Sequence, residues 1–166
     1  METMTPKQLG PGEGHLIHLL GEPRTLKVTP AENGGRYLQF ETSTALGTGA
    51  PPHFHHEEDG AFYVLAGHYE FIIGEKRFTA TAGAFAFVPR GTVHAFTNTG
   101  QEVAHMLVTV TPGTQHEGFF REAGELTDRL GKEPEPSQLV TLALKYGWEL
   151  VPQTNASSFD KITYNP

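Results

Sequence analysis

Apolar and polar residues alternate in short runs through the first two thirds of the chain. A strand sends successive side chains to opposite faces, so such alternation marks half-buried strands. Residues 36–44 show it well, with Tyr37, Leu38 and Phe40 set among polar neighbours after the turn signal Asn33-Gly34-Gly35. Residues 61–66 form the clearest strand, rich in β-branched and aromatic side chains. Gly67 turns it into 69–73, and Gly74-Glu75-Lys76 turns that into 77–81. Further runs lie at 84–88, 93–97 and 103–111, and 15–20 and 25–29 are shorter candidates near the start. Gly, Pro or Asn punctuates each junction. Residues 47–52 are expected to be a loop, in which Pro51 and Pro52 fix an extended approach to His53. So many strands without intervening helices predict a sandwich or barrel.

The period changes near the C-terminus. Thr114-Gln-His-Glu117 has the form of a capping box opening a helix through Phe119, Phe120, Ala123 and Leu126. Ser137 can cap a second helix with Leu139, Leu142, Ala143 and Tyr146 on one face, ending at Gly147. The organisation expected is an arm at 1–14, a β-barrel at 15–112, a helical segment at 113–150 and a polar tail at 151–166. Phe159, Ile162 and Tyr164 offer that tail docking residues.

At 166 residues, with 37% apolar and 19% charged side chains, the chain is ordinary for one globular domain. Nineteen glycines and twelve prolines favour short strands and turns over a helical bundle. The net charge is −7 with no Lys/Arg run, which argues against a nucleic-acid or anionic-membrane surface. Without cysteine, any metal must take His, carboxylate or water. The N-terminus lacks the apolar core of a signal peptide, and no apolar run reaches transmembrane length, so a cytoplasmic protein is the expectation.

The candidate chemistry lies within 47–98. In Pro-Pro-His-Phe-His-His, strand parity puts His53 and His55 on one face and Phe54 on the other. His94, in Val-Pro-Arg-Gly-Thr-Val-His, supplies a third imidazole. From a facing strand it would complete three nitrogen ligands suited to Zn, Fe, Ni, Cu or Mn. His15, His18, His56, His68, His105 and His116 fit no ligand spacing and read as ordinary strand, turn or helix residues. Phe62, Tyr69, Phe71, Phe85, Phe87 and Phe96 read as barrel core. Parity with positions 60 and 94 places Phe62, Val64 and Phe96 on the cavity wall, where they suit a planar aromatic ligand.

The spacing around these histidines resembles the two cupin motifs. In the first, Gly47 is followed by five residues, then His53-Phe54-His55, and the motif closes at Gly67. The second is matched at every position by Gly83, Pro89, Gly91, His94 and Asn98. The run His-His-Glu-Glu-Asp-Gly-Ala-Phe-Tyr-Val-Leu, with the helical C-terminus, is similar to single-domain cupins of the quercetin 2,3-dioxygenase-like kind. The resemblance implies a jelly-roll β-barrel, all-β with two C-terminal helices packed outside. It also implies a divalent transition metal on His53, His55 and His94, and dioxygen chemistry on an enolizable or phenolic small molecule.

One position departs from the family. Where a glutamate ligand is expected the chain has Gly60. Three neutral imidazoles leave the metal's charge uncompensated, which favours anionic oxygen ligands and weakens metal binding. That glutamate also serves as the base in quercetinase-like chemistry. Here a nearby acid (Glu58 or Asp59) or water activated by the metal would take the proton, or the chain does not perform that reaction. Parity points Asp59 outward unless a bulge re-aims it. The alternatives are a non-catalytic small-molecule binding protein and a metal isomerase or lyase that needs no dioxygen. A homodimer is expected, with outward Tyr63 and Leu65 or a sheet edge covered by the partner.

Overall fold

The computed structural model describes residues 4–19 and 22–151. The proposed docking of Phe159, Ile162 and Tyr164 lies outside them. Two antiparallel sheets carry the fold. The first runs, in spatial order, β1 (His15–Leu19), β2 (Glu22–Val28), β3 (Leu38–Thr44), β10 (Ala104–Thr111), β5 (Asp59–Ala66) and β8 (Phe85–Val88). The second runs β11 (Trp148–Leu150), β4 (Gly49–His55), β9 (His94–Asn98), β6 (His68–Ile73) and β7 (Lys76–Thr81). Strands adjacent in space are mostly distant in sequence, the mark of a jelly roll. The helices are α1 (Pro30–Asn33), α2 (Thr114–Leu130) and α3 (Pro136–Lys145).

Period-two alternation builds the core. Leu38, Phe40, Thr42 and Thr44 of β3 face inward beside Met106, Val108 and Val110 of β10. Gly60, Phe62 and Val64 of β5 complete that layer. Tyr69 and Phe71 face them from the other sheet, and the Phe62 and Phe71 rings meet edge-on at 5.8 Å. Each fully buried Leu, Val or Phe contributes about 1.5–3 kcal/mol by leaving water.

Several expectations need correction. Residues 47–52 are not simply a loop, because Gly49–His55 forms strand β4. Pro51 and Pro52 cannot donate to a ladder, and the β4–β9 register shifts between Ala50 and His53 at that point. At Gly49 a Cβ would fall on the Phe96 carbonyl oxygen, so only glycine lets the two backbones approach. Asn33-Gly34 ends the short helix α1, with Gly34 at φ 71°. The C-terminal segment is not wholly helical, since Trp148–Leu150 adds β11 alongside β4. The cap of α3 is Glu135, with Pro136 at the first helical position, rather than Ser137. Phe85 and Phe87 are not core: they are 63% and 55% exposed on the outer face of β8, an edge strand.

The helices pack against the sheets, α2 on β1 and α3 on β11. The first turns of α2 reach further in. His116, Phe119 and Phe120 are buried, and Phe120 meets Phe40 of β3 edge-on at 5.1 Å. Among the described residues, no helix is long and apolar enough to cross a membrane.

Candidate metal centre

His53 and His55 sit on β4 with their side chains buried on one face, and Phe54 between them turns away. His94 opens β9 and is the direct register partner of His53. The third imidazole therefore comes from the neighbouring strand of the same sheet, not from a facing one. Ring centroids lie 5.0 Å apart for His53–His55, 4.3 Å for His53–His94 and 5.1 Å for His55–His94. One ligand atom from each lies within 4.8 Å of the others.

Hydrogen bonds orient two of these rings. His53 Nδ1 donates to the Pro51 carbonyl at 2.7 Å, and His94 Nδ1 to the Thr92 carbonyl at 3.0 Å. Fixing the proton on Nδ1 leaves Nε2 with a free lone pair, as metal-bound histidine requires. His55 Nε2 is buried without a hydrogen-bond partner, a costly state for a polar atom unless something binds it. Desolvation pushes all three imidazoles down, His53 and His55 far below the usual range and His94 to about 4. They are therefore neutral at physiological pH, the protonation state that metal coordination requires. Donor set, tautomers and the orphaned nitrogen all fit a divalent transition metal.

The imidazoles open onto a cavity of about 80 Å³. Phe62, Phe96, Gly60, Arg24 and Trp148 contribute to its wall. Val64 does not, lying deeper in the core at 1% exposure. The volume is well below the roughly 300–1,000 Å³ of drug-sized sites, so the cavity as it stands admits a small ligand, not an extended aromatic one.

The two acids singled out as candidate bases are separated. Asp59 turns outward and is held by Arg90, which donates through its backbone N–H at 2.8 Å, Nε at 3.1 Å and Nη2 at 2.8 Å. Glu58 turns inward and is 2% exposed. Its Oε1 accepts the Gln115 and His116 N–H groups at 2.9 and 3.2 Å, and its Oε2 accepts His116 Nδ1 at 2.8 Å. Burial alone would raise the Glu58 carboxyl, but the imidazole and the helix N–H groups outweigh it and hold the group ionised. Burial lowers His116, with Glu58 opposing, so a neutral ring donates to a carboxylate.

Sequence reasoning missed His116, Arg24 and Trp148. His116 is 5% exposed, with its ring 4.8 Å from that of His55. Trp148 stacks on His55 at 4.8 Å and on His53 at 5.9 Å. Arg24 donates to the Leu19 and Glu22 carbonyls and lies 5.6 Å from the Phe120 ring. No spacing ties these positions to the motif. The return of the C-terminal segment over β3 and β4 brings in His116 and Trp148, and the pairing of β2 with β3 brings in Arg24. Of the remaining histidines, His56 is exposed against Glu149, and His105 is exposed on Ser43.

Comparison with known proteins supports the resemblance at the level of the cupin fold, and does not reach the quercetin 2,3-dioxygenase-like subtype. The family described as Cupin domain matches residues 41–110. A protein of Aquifex aeolicus (strain VF5), described as uncharacterized, is 34% identical over 92 residues, covering 55% of this chain and 70% of that one. Among solved structures, KdgF from Halomonas sp. superposes with a TM-score of 0.58 at 16% identity over 65% of this chain and 94% of its own. The polyketide cyclase RemF from Streptomyces resistomycificus gives 0.57 at 18% identity, over 65% and 80%. A predicted oxalate decarboxylase of Thermotoga maritima gives 0.52 at 21%, over 54% and 79%. At these identities the structures speak for the fold alone. With two antiparallel sheets, paired histidine motifs and a matching domain family, residues 41–110 form a cupin domain.

Proposed function

We propose that this chain is a metal-dependent enzyme acting on a small enolizable or phenolic molecule. The leading reaction is oxygenation by dioxygen, in the manner of quercetin 2,3-dioxygenase-like cupins. The observation that carries the reading is the convergence of three neutral, buried imidazoles on an apolar cavity, one with an unpartnered nitrogen. A divalent transition metal on His53, His55 and His94 would supply Lewis acidity and, if redox-active, access to dioxygen.

The chain's own residues do the rest. Phe62 and Phe96 keep water from the reacting group. Arg24 adds a guanidinium to the wall, but Glu22 pairs with it at 3.6 Å and compensates most of its charge, so it orients a substrate oxygen rather than neutralising it. Gly60 offers no base, and Asp59 is committed to Arg90. A substrate that ionises readily is therefore favoured over one needing a strong base. The cavity volume points to diketones or small keto acids before flavonols. The predicted decarboxylase and the polyketide cyclase show that the same fold is associated with more than one chemistry.

Oxygen uptake with a panel of small diketones, keto acids and flavonols tests the reading. Consumption with a small diketone, lost in His94→Ala, is the expected result. Product formed without dioxygen would move the assignment to an isomerase or lyase. Gly60 favours a second reading, a binding protein without turnover, which ligand-induced stabilisation with no product would establish. We also propose a homodimer joined through β8, where Phe85 pairs in register with Tyr63 on an outward apolar strip.

A further inference from the structure

A second group of potential ligands lies at the edge of the cavity: His55 and His116 line it, and Glu58, reached through His116 and His55, lines the neighbouring cleft beside Gln115 and Tyr146. One ligand atom each from His55, Glu58 and His116 lies within 4.8 Å of the others, as in the first group, and all three residues are buried. We propose that His55, Glu58 and His116 form a second seat for a divalent transition metal, sharing His55 with the three-imidazole seat. This goes beyond the oxygenation reaction but rests on the same premise, that the cavity binds metal.

Two imidazoles and one carboxylate are a recognised donor set for divalent first-row metals such as iron. The spacing agrees. His116 Nδ1 and Glu58 Oε2 stand 2.8 Å apart, close to the roughly 3 Å between adjacent donors on an octahedral ion with bonds of about 2.1 Å, while a tetrahedral ion such as zinc would part them to about 3.4 Å. An ion there would replace the proton that now joins them. Glu58 Oε1 would keep its two helix N–H bonds, so the carboxylate stays oriented while Oε2 binds. His55 contributes an independent indication: at 5% exposure it has a buried nitrogen that no protein group satisfies.

Charge favours the arrangement as well. The first seat has three neutral donors, because Gly60 stands where the family has a carboxylate. The second restores one anionic donor from two positions earlier in the chain and a different element pairing. His55 gives one nitrogen to one ion, so a single ion occupies one seat at a time.

Zinc titration of chelator-stripped, full-length protein, followed by calorimetry and thermal denaturation, tests the proposal. Wild type should take up one zinc per chain. His94→Ala and His53→Ala each destroy only the first seat and should still take up one zinc per chain, weakened no more than about 100-fold. In His94→Ala/Glu58→Gln the amide oxygen still accepts the helix N–H groups, which preserves the fold, yet zinc binding should disappear. If both single variants are folded by circular dichroism and bind no zinc while wild type does, the second seat is refuted and the first stands. If wild type binds none, the premise of a metal site fails, and with it this proposal.

Discussion

A Cβ built at Gly60 would stand 3.1 Å from the Phe62 ring edge, with no backbone strain to relieve. Glutamate there must displace that ring to reach the histidines. Gly60→Glu is expected to tighten zinc binding while lowering the stability of the metal-free protein by about 1–3 kcal/mol, measured by chelator competition and urea unfolding. Next to it, Asp59→Asn should leave zinc affinity within about twofold of wild type, since its carboxylate faces Arg90 on the outside. A large loss would show that Asp59 turns inward to the metal. These two positions show what single residues disclose. Parity is a property of the local backbone, so the inward and outward faces of β5 were readable from the alternation alone. The role of Glu58 was not, because its partners lie 57 and 58 residues away.

The N-cap of α2 is Gly113, and no side chain of its own segment caps the helix. The Thr114–Glu117 pattern suggested a local capping box. Instead, the N–H groups of its second and third residues bond to Glu58, whose negative charge sits at the positive end of the helix. Glu58→Ala would leave the buried His116 N–H, the half-buried Gln115 N–H and the His116 ring unpaired. The expected loss is about 3 kcal/mol, seen in urea unfolding with earlier amide exchange in α2. A loss below about 0.5 kcal/mol would mean that water replaces the carboxylate. Most strands were legible because turn residues and period-two alternation are local signals. β4 was legible only from His53 to His55, since two prolines mask its first half and a register shift absorbs them. β11 was hidden, three residues defined by what they pair with rather than by their own pattern.

For the whole molecule, the buried imidazoles link folding to acidity. His94 is neutral in the fold down to about pH 4 but takes a proton near pH 6.5 when unfolded. The unfolded state therefore binds more protons below pH 6.5, and stability is lost as the pH falls from there towards 4. His94 alone accounts for about 3 kcal/mol, and His53 and His55 act in the same direction. Urea midpoints of metal-free protein should fall steeply across this interval, and a flat profile would contradict the burial of these rings. The outer face makes a separate prediction. Phe85→Glu should convert a dimer to monomer in light-scattering chromatography without altering zinc uptake, and a wild-type monomer would refute the β8 interface. Trp148 gives the molecule a further property. It is the chain's sole tryptophan, and it is stacked on two of the imidazoles. All of the protein's indole emission thus originates beside the cavity. Copper or nickel entering there should quench it, and closed-shell zinc should shift it without quenching, so loading can be followed optically in untagged, unlabelled protein.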